Sequence, residues 1–288
     1  MDKRAPQPGP SSLAPSAVPG LRADTSLEVA GCRLVAARLG DVQRCAGDLQ
    51  QVFEAAPIHE LRMALRRLRA ALNLFGRRNL RKQGARLKPL QDALGLLRDD
   101  QVRIEWLSRH RASGLVAKAH RDLADHQMAL TLALVRFDAG ESMHIARYIT
   151  ELHRVGSLGG KRMRRSLSRL LPTKKMIRRA NDLGPAGVHE LRIALKKLSY
   201  TAELLAAALP LEVNEVLAHF GDLQDRLGDL HDADVQVAQL EREVEAGCVQ
   251  DAERARVTCA AKEERKRLEP AVTRSIQAFR RKSLADRG

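Results

Sequence analysis

Aromatic rings are scarce in this 288-residue chain, which carries one Trp, two Tyr and five Phe. A protein that grips single-stranded nucleic acid by stacking bases on rings is poorly supplied by such a composition. Cysteine is sparse as well. Cys32, Cys45, Cys248 and Cys259 form no Cys-x-x-Cys pair and no ligand-like cluster, so neither a zinc site nor a disulfide framework is indicated, and a reducing cytoplasm is the expected compartment. No stretch approaches the ~18 apolar residues that a membrane span needs, so no membrane partner is expected. The opening segment MDKRAPQPGPSSLAPSAVPG lacks the apolar centre of a signal peptide. Neither a G-x-x-x-x-G-K phosphate loop nor a His-Glu-x-x-His zinc pattern occurs. No cofactor and no metal are expected, and the chain does not read as an enzyme.

What is present is positive charge. Lys and Arg number 50 against 35 Asp and Glu, a formal charge of +15 with an isoelectric point near 10.3. This balance by itself biases the partner toward phosphates, nucleic acids and anionic membrane surfaces. Residues 1–24 are dense in Pro, Ser, Gly and Ala without periodicity and read as a flexible tail. From residue 25 onward Leu and Ala recur at three- and four-residue spacings, β-branched alternation is missing, and Pro or Gly falls where helices would end. The chain is therefore expected to be all-α. Breaks near Pro57, Gly76, Gly114, Asp138–Gly140, Gly156–Gly160, Pro172, Gly184–Pro185, Pro210 and Gly247 leave segments of bundle-helix length. Two tandem four-helix lobes of long antiparallel helices are the expected architecture, residues 25–139 and 140–288, with a seam near 138–142.

The chain repeats itself. IHELRMALRRL at 58–68 returns as VHELRIALKKL at 188–198, with seven of eleven positions identical. LQDALGLLRDDQV at 90–102 returns as LQDRLGDLHDADV at 223–235. The offsets are 130 and 133 residues, so two blocks recur in one order and argue for tandem duplication.

On a helical wheel the first block gathers Leu61, Ala64, Leu65, Leu68 and Leu72 on one side and His59, Arg62, Arg66 and Arg69 on the other. In the second copy Leu191, Ala194, Leu195 and Leu198 form the apolar back. His189, Arg192 and Lys196 form the front, with Ser199 where the first copy has Arg69. From His59 to Arg69 the cations would form a ladder of about 15 Å, able to follow a linear chain of phosphates. Arg offers a planar fork of donors to phosphate oxygens, and His adds a charge below about pH 6.5, so affinity should rise in acid. An ordinary basic helix face is merely solvated. Here the polar residues repeat along with the apolar ones, which a fold kept only for its packing does not require.

Other cations lie nearby in sequence. Ten basic and no acidic residues fall between Arg154 and Asn181, among them Arg162 and Arg165. Asp92, Gly95 and Asp99, like Asp225, Gly228 and Asp232, recur at helical spacing. The carboxylates are expected to pair with the cationic helix and hold its side chains in place, and the glycines to admit a close neighbouring helix. A metal-dependent phosphohydrolase could be assembled from His59, His189, His231, Asp232 and Asp234, but the spacing gives it little support.

The doubled pair of motifs, [VI]-H-E-L-R-x-A-L-[RK]-[RK]-L followed by L-Q-D-x-L-G-x-L-x-D-x-x-V, resembles the CHAD family, the conserved histidine α-helical domain, over about residues 27–282. The resemblance implies two four-helix bundles related by a pseudo-two-fold. It also implies a basic groove or pore at their junction that binds inorganic polyphosphate, and association with polyphosphate granules. Carried onto this chain, the binding positions would be His59, Arg62, Arg66, Arg69, His189, Arg192, Lys196 and Lys197, with Arg98 and His231 as weaker candidates. Ser199, and Glu203 where the first copy has Asn73, make the second lobe the expected weaker half. Nucleic acid is a secondary partner on this reading, and the oligomeric state stays open.

Overall fold

The structure, a computed structural model, describes Val18, Thr25 and residues 27–51, 54–75, 78–152, 185–205, 211–245 and 251–285. The tail at 1–24 and the basic segment with Arg162 and Arg165 lie outside the described residues. Among the described residues there is no strand. The helices are α1 (Leu27–Gln51), α2 (Ala55–Phe75), α3 (Arg78–Arg86), α4 (Lys88–Arg109), α5 (Ser113–Arg136), α6 (Ser142–Leu152), α7 (Pro185–Leu205), α8 (Leu211–Glu245) and α9 (Asp251–Ala285). Pro57 and Pro185 stand in the first turns of α2 and α7, where the missing N–H has no intrahelical partner to lose. No described helix is long and apolar enough to cross a membrane.

The chain forms two compact units, and they are not contiguous in sequence. The first takes residues up to Gln101 and returns at Asp122; the second takes 102–121 together with α7, α8 and α9. The contiguous division at 139/140 therefore does not describe the compact units. The chain does not break near 138–142 either: α5 runs into α6 through a π-helical turn, Phe137–Glu141, that buries Phe137. Asp138 and Gly140 do not end the helix, because one wider turn absorbs them and the Asp138 carboxylate accepts a hydrogen bond from Gln50 Nε2 at 2.9 Å.

In the first unit α1 packs on α2 and α6, and α3 contacts α2 and α6. The wheel of α2 holds: Leu61, Leu65, Leu68 and Leu72 are fully buried and Ala64 nearly so. Gly31 of α1 permits close approach here, since a Cβ on it would lie 2.9 Å from the Phe75 ring.

The second unit has two apolar clusters. Leu191, Leu195 and Leu198 of α7 meet Leu223, Leu227 and Leu230 of α8 and Val272 and Ile276 of α9. Trp106, Leu107, Ala112, Leu115 and Ala119, from the tip of the α4–α5 hairpin, pack on Leu240, Val257 and Ala261. The hairpin turns at Arg111, not at Gly114 as the composition suggests: Arg111 takes a left-handed φ of 52°. Arg256 donates to the carbonyls of His110 and Arg111 at 2.7 and 3.3 Å, which satisfies the end of α4. Gly114 lies inside α5, where its N–H donates to Glu253 at 3.2 Å.

A buried ion cluster sits beside this second core. The fully buried Arg103 guanidinium bonds to Glu243, which also takes Lys118 Nζ at 3.0 Å. Glu243→Ala would remove the carboxylate that the buried Arg103 shares with Lys118, and the expected cost is about 3–5 kcal/mol. Replacing Arg103 by Met together with Glu243 by Leu should cost much less. Urea unfolding followed by the fluorescence of Trp106, the only tryptophan, measures both.

Candidate functional site

In each unit the two repeated blocks face one another, and they do so in the same antiparallel register. In the first unit the guanidinium of Arg69, near the end of α2, bonds to Gln91 near the start of α4. At the other end of the contact His59 lies in the field of Arg98. In the second unit Ser199 Oγ is 2.7 Å from Gln224 Oε1, and the rings of His189 and His231 are 5.4 Å apart, tilted by 39°. Ser199 is the counterpart of Arg69, Gln224 of Gln91, and His231 of Arg98. Descending one helix from 69 to 59, or from 199 to 189, ascends its partner from 91 to 98, or from 224 to 231.

This register brings the expected cations together. Burial first, and then Arg98, Arg62, Arg66 and Arg67 in that order, push the His59 imidazole below its ordinary value. His59, Arg62 and Arg66 share the side of α2 away from its buried leucines, and Arg98 of α4 bears on the same imidazole, so these four make up one cationic neighbourhood. Arg67, adjacent in sequence, is buried on the packing side, whereas its counterpart Lys197 is exposed. In the second unit Arg192 and Lys196 are partly buried, and His189 is exposed.

The depressed His59 changes the expected acid response, because the free protein gains that charge only at more acidic pH than an unperturbed imidazole would. Between the lowered folded value and the ordinary one the unfolded chain binds more protons. His59 therefore contributes stability that is complete above its unfolded value and is lost as pH falls from there through the folded one.

Arg69 differs from the other cations of its helix. Burial draws its guanidinium below its ordinary value, opposed by Asp92, and its bond to Gln91 fixes it between two helices. Ser199 keeps that interhelical link without the charge. Its presence is thus the loss of one cation from a retained contact and not the loss of the contact.

Glutamine takes a positioning role that the charge pattern does not suggest, Gln91 on Arg69 and Gln224 on Ser199. Asp92 pairs with Lys88 on its own helix, and Asp92, Asp99, Asp225 and Asp232 are exposed. Gln91 is on the face turned toward α2, and Asp92, about 100° further round, is more exposed yet near enough to act on Arg69. The signal for Gln91 and Gln224 in the sequence is their identity within the repeated block, since neutral side chains leave no trace in the charge pattern. Asp100, next to Asp99, is buried and bonded to His126, and Asp234 holds Arg265 at 2.6 Å. The glycines do not serve the packing expected of them, for a Cβ on Gly95 or Gly228 would meet nothing within 4 Å. Among the described residues no three His, Cys, Asp or Glu side chains converge as a metal site would require.

A family model for the CHAD domain matches residues 33–241, a span that contains both copies of both blocks. The fold is similar to the crystal structure of the CHAD domain from the plant Ricinus communis. The TM-score is 0.69 and the identity 21%, with 92% of this chain and 95% of that one covered. No curated protein matches the sequence.

The cluster makes a direct prediction. Arg98→Gln should raise the titration midpoint of His59, followed by NMR of its imidazole protons, while the fold stays intact; an unmoved midpoint would remove Arg98 from the cluster.

Proposed function

Since this chain belongs to the CHAD family, we propose that it binds inorganic polyphosphate without catalysing its hydrolysis, and that in the cell it associates with polyphosphate granules in the cytoplasm. The observation that carries this reading is the crowding of Arg62, Arg66 and Arg98 around His59. Four cationic or protonatable groups gathered on one short stretch of two helices offer dense, directional donors to phosphate oxygens. The second unit supplies an analogous set in His189, Arg192, Lys196 and His231.

A linear polyanion suits this layout better than a compact one. The donors of α2 are spaced along the helix axis, and a flexible phosphate chain can match them in turn. Nucleic acid presents the same phosphate charge, but at wider spacing and with bases that ask for stacking partners, and this chain has few rings to offer. Salt sensitivity is shared by both ligands and does not separate them. Competition does: long-chain polyphosphate should resist displacement by duplex DNA or RNA at equal phosphate concentration, and ready displacement would transfer the assignment to nucleic acid.

Replacing Arg62, Arg66, Arg192 and Lys196 together by Ala should weaken retention on immobilised polyphosphate by at least about a hundredfold, with far-ultraviolet circular dichroism unchanged. Retention at the wild-type level would remove these residues from the site.

Bound phosphate oxygens would favour the imidazolium and raise His59 from its depressed value. Binding should then take up a proton, and affinity should rise as pH falls through the interval between the free and bound values. Calorimetry in buffers of different ionisation enthalpy measures the uptake, and His59→Gln should reduce it.

A further inference from the structure

Each copy of the second block holds a glycine that helix packing does not account for. Gly95 and Gly228 lie in the interiors of α4 and α8, where glycine weakens a helix relative to alanine. The ordinary reason to keep one is a neighbour pressed against its backbone, and Gly31 meets that description against Phe75. At Gly95 and Gly228 an added Cβ would find nothing within 4 Å, yet both residues are partly shielded from solvent. They are partly covered without being packed, and an added side chain would enter open space.

Their surroundings give that space a chemistry. One turn before Gly95, Gln91 reaches across to Arg69, and one turn after it Arg98 stands by His59. Gly228 is bracketed in the same way by Gln224, which meets Ser199, and His231, which meets His189. On the facing helix Arg62 and Arg66, or Arg192 and Lys196, fall in sequence between those two cross-links. In both units, therefore, the bare stretch of helix lies between the two cross-links that join it to the cation-bearing helix.

We propose that Gly95 and Gly228 keep this space open in each unit for phosphate groups of the bound chain, which settle against the helix backbone there within reach of the flanking cations. The inference rests on the polyphosphate reading and specifies where in each cluster the chain lies. A side chain at either position would hold the phosphates away from the guanidiniums, and a charge-assisted hydrogen bond weakens steeply once donor and acceptor move past its normal 2.7–2.9 Å.

The test uses the full chain with both glycines replaced, first by Ala and then by Leu, and measures binding of long-chain polyphosphate alongside thermal unfolding. The alanine pair should unfold about 2 °C higher than wild type, because it gains helix propensity and meets no neighbour. Affinity should fall stepwise with side-chain size, by at least about tenfold for the leucine pair. If the leucine pair binds as wild type does while Arg62→Ala with Arg66→Ala loses binding, the glycine role is overturned and the polyphosphate reading stands. A lowered unfolding midpoint in the alanine pair would also overturn it, by returning these glycines to packing. A wild-type protein that fails to bind polyphosphate overturns both.

Discussion

Like charges do not gather unaided, and the first unit holds several guanidinium groups close enough to one imidazole to lower its proton affinity. Two like unit charges about 6 Å apart in an effective dielectric of about 20 repel by roughly 3 kcal/mol. That repulsion has to be met by something that does not depend on the cations. The apolar back of α2 supplies it: Leu61, Leu65, Leu68 and Leu72 are fully buried, and burial of each stabilises the folded chain by about 1.5–3 kcal/mol. The same helix thus anchors itself with one side and accumulates charge on the other. The second unit repeats the arrangement through Leu191, Leu195 and Leu198.

Holding a cation in place with a carboxylate orients it but also cancels much of its field. Gln91 orients Arg69 through a neutral oxygen, which adds no negative charge of its own beside the guanidinium. In the second unit the same glutamine position is retained although its partner is a serine. The link between the helices is therefore the more general feature, and the charge at that position the more variable one.

Much of this was readable from the residues alone. The all-helical class, the buried side of both repeated helices and the placing of His59, Arg62 and Arg66 on the side away from it follow from spacing and repetition, because apolar periodicity and charge periodicity both survive in a linear string. What was not readable depends on which part of a helix meets which distant segment. The split of α4 and α5 between two units leaves no mark in composition. Asp138 and Gly140 look like a stop and are carried through by a π turn. Gly95 and Gly228 look like packing residues until the space around them is known. Arg111 turns the hairpin although Gly114 is nearby, because contacts from Arg256 more than a hundred residues away complete that turn.

The interleaved units also set an order of events during synthesis. Trp106, Leu107 and Leu115 leave the ribosome well before Leu240, Val257 and Ala261, against which they pack. At about 5–20 residues per second their partners follow only some 7–30 seconds later. For that interval the hairpin tip is an apolar surface without its cover. The first unit can complete its own core while the tip waits, so the nascent chain passes through a half-folded state in which exposed tryptophan and leucine invite a chaperone.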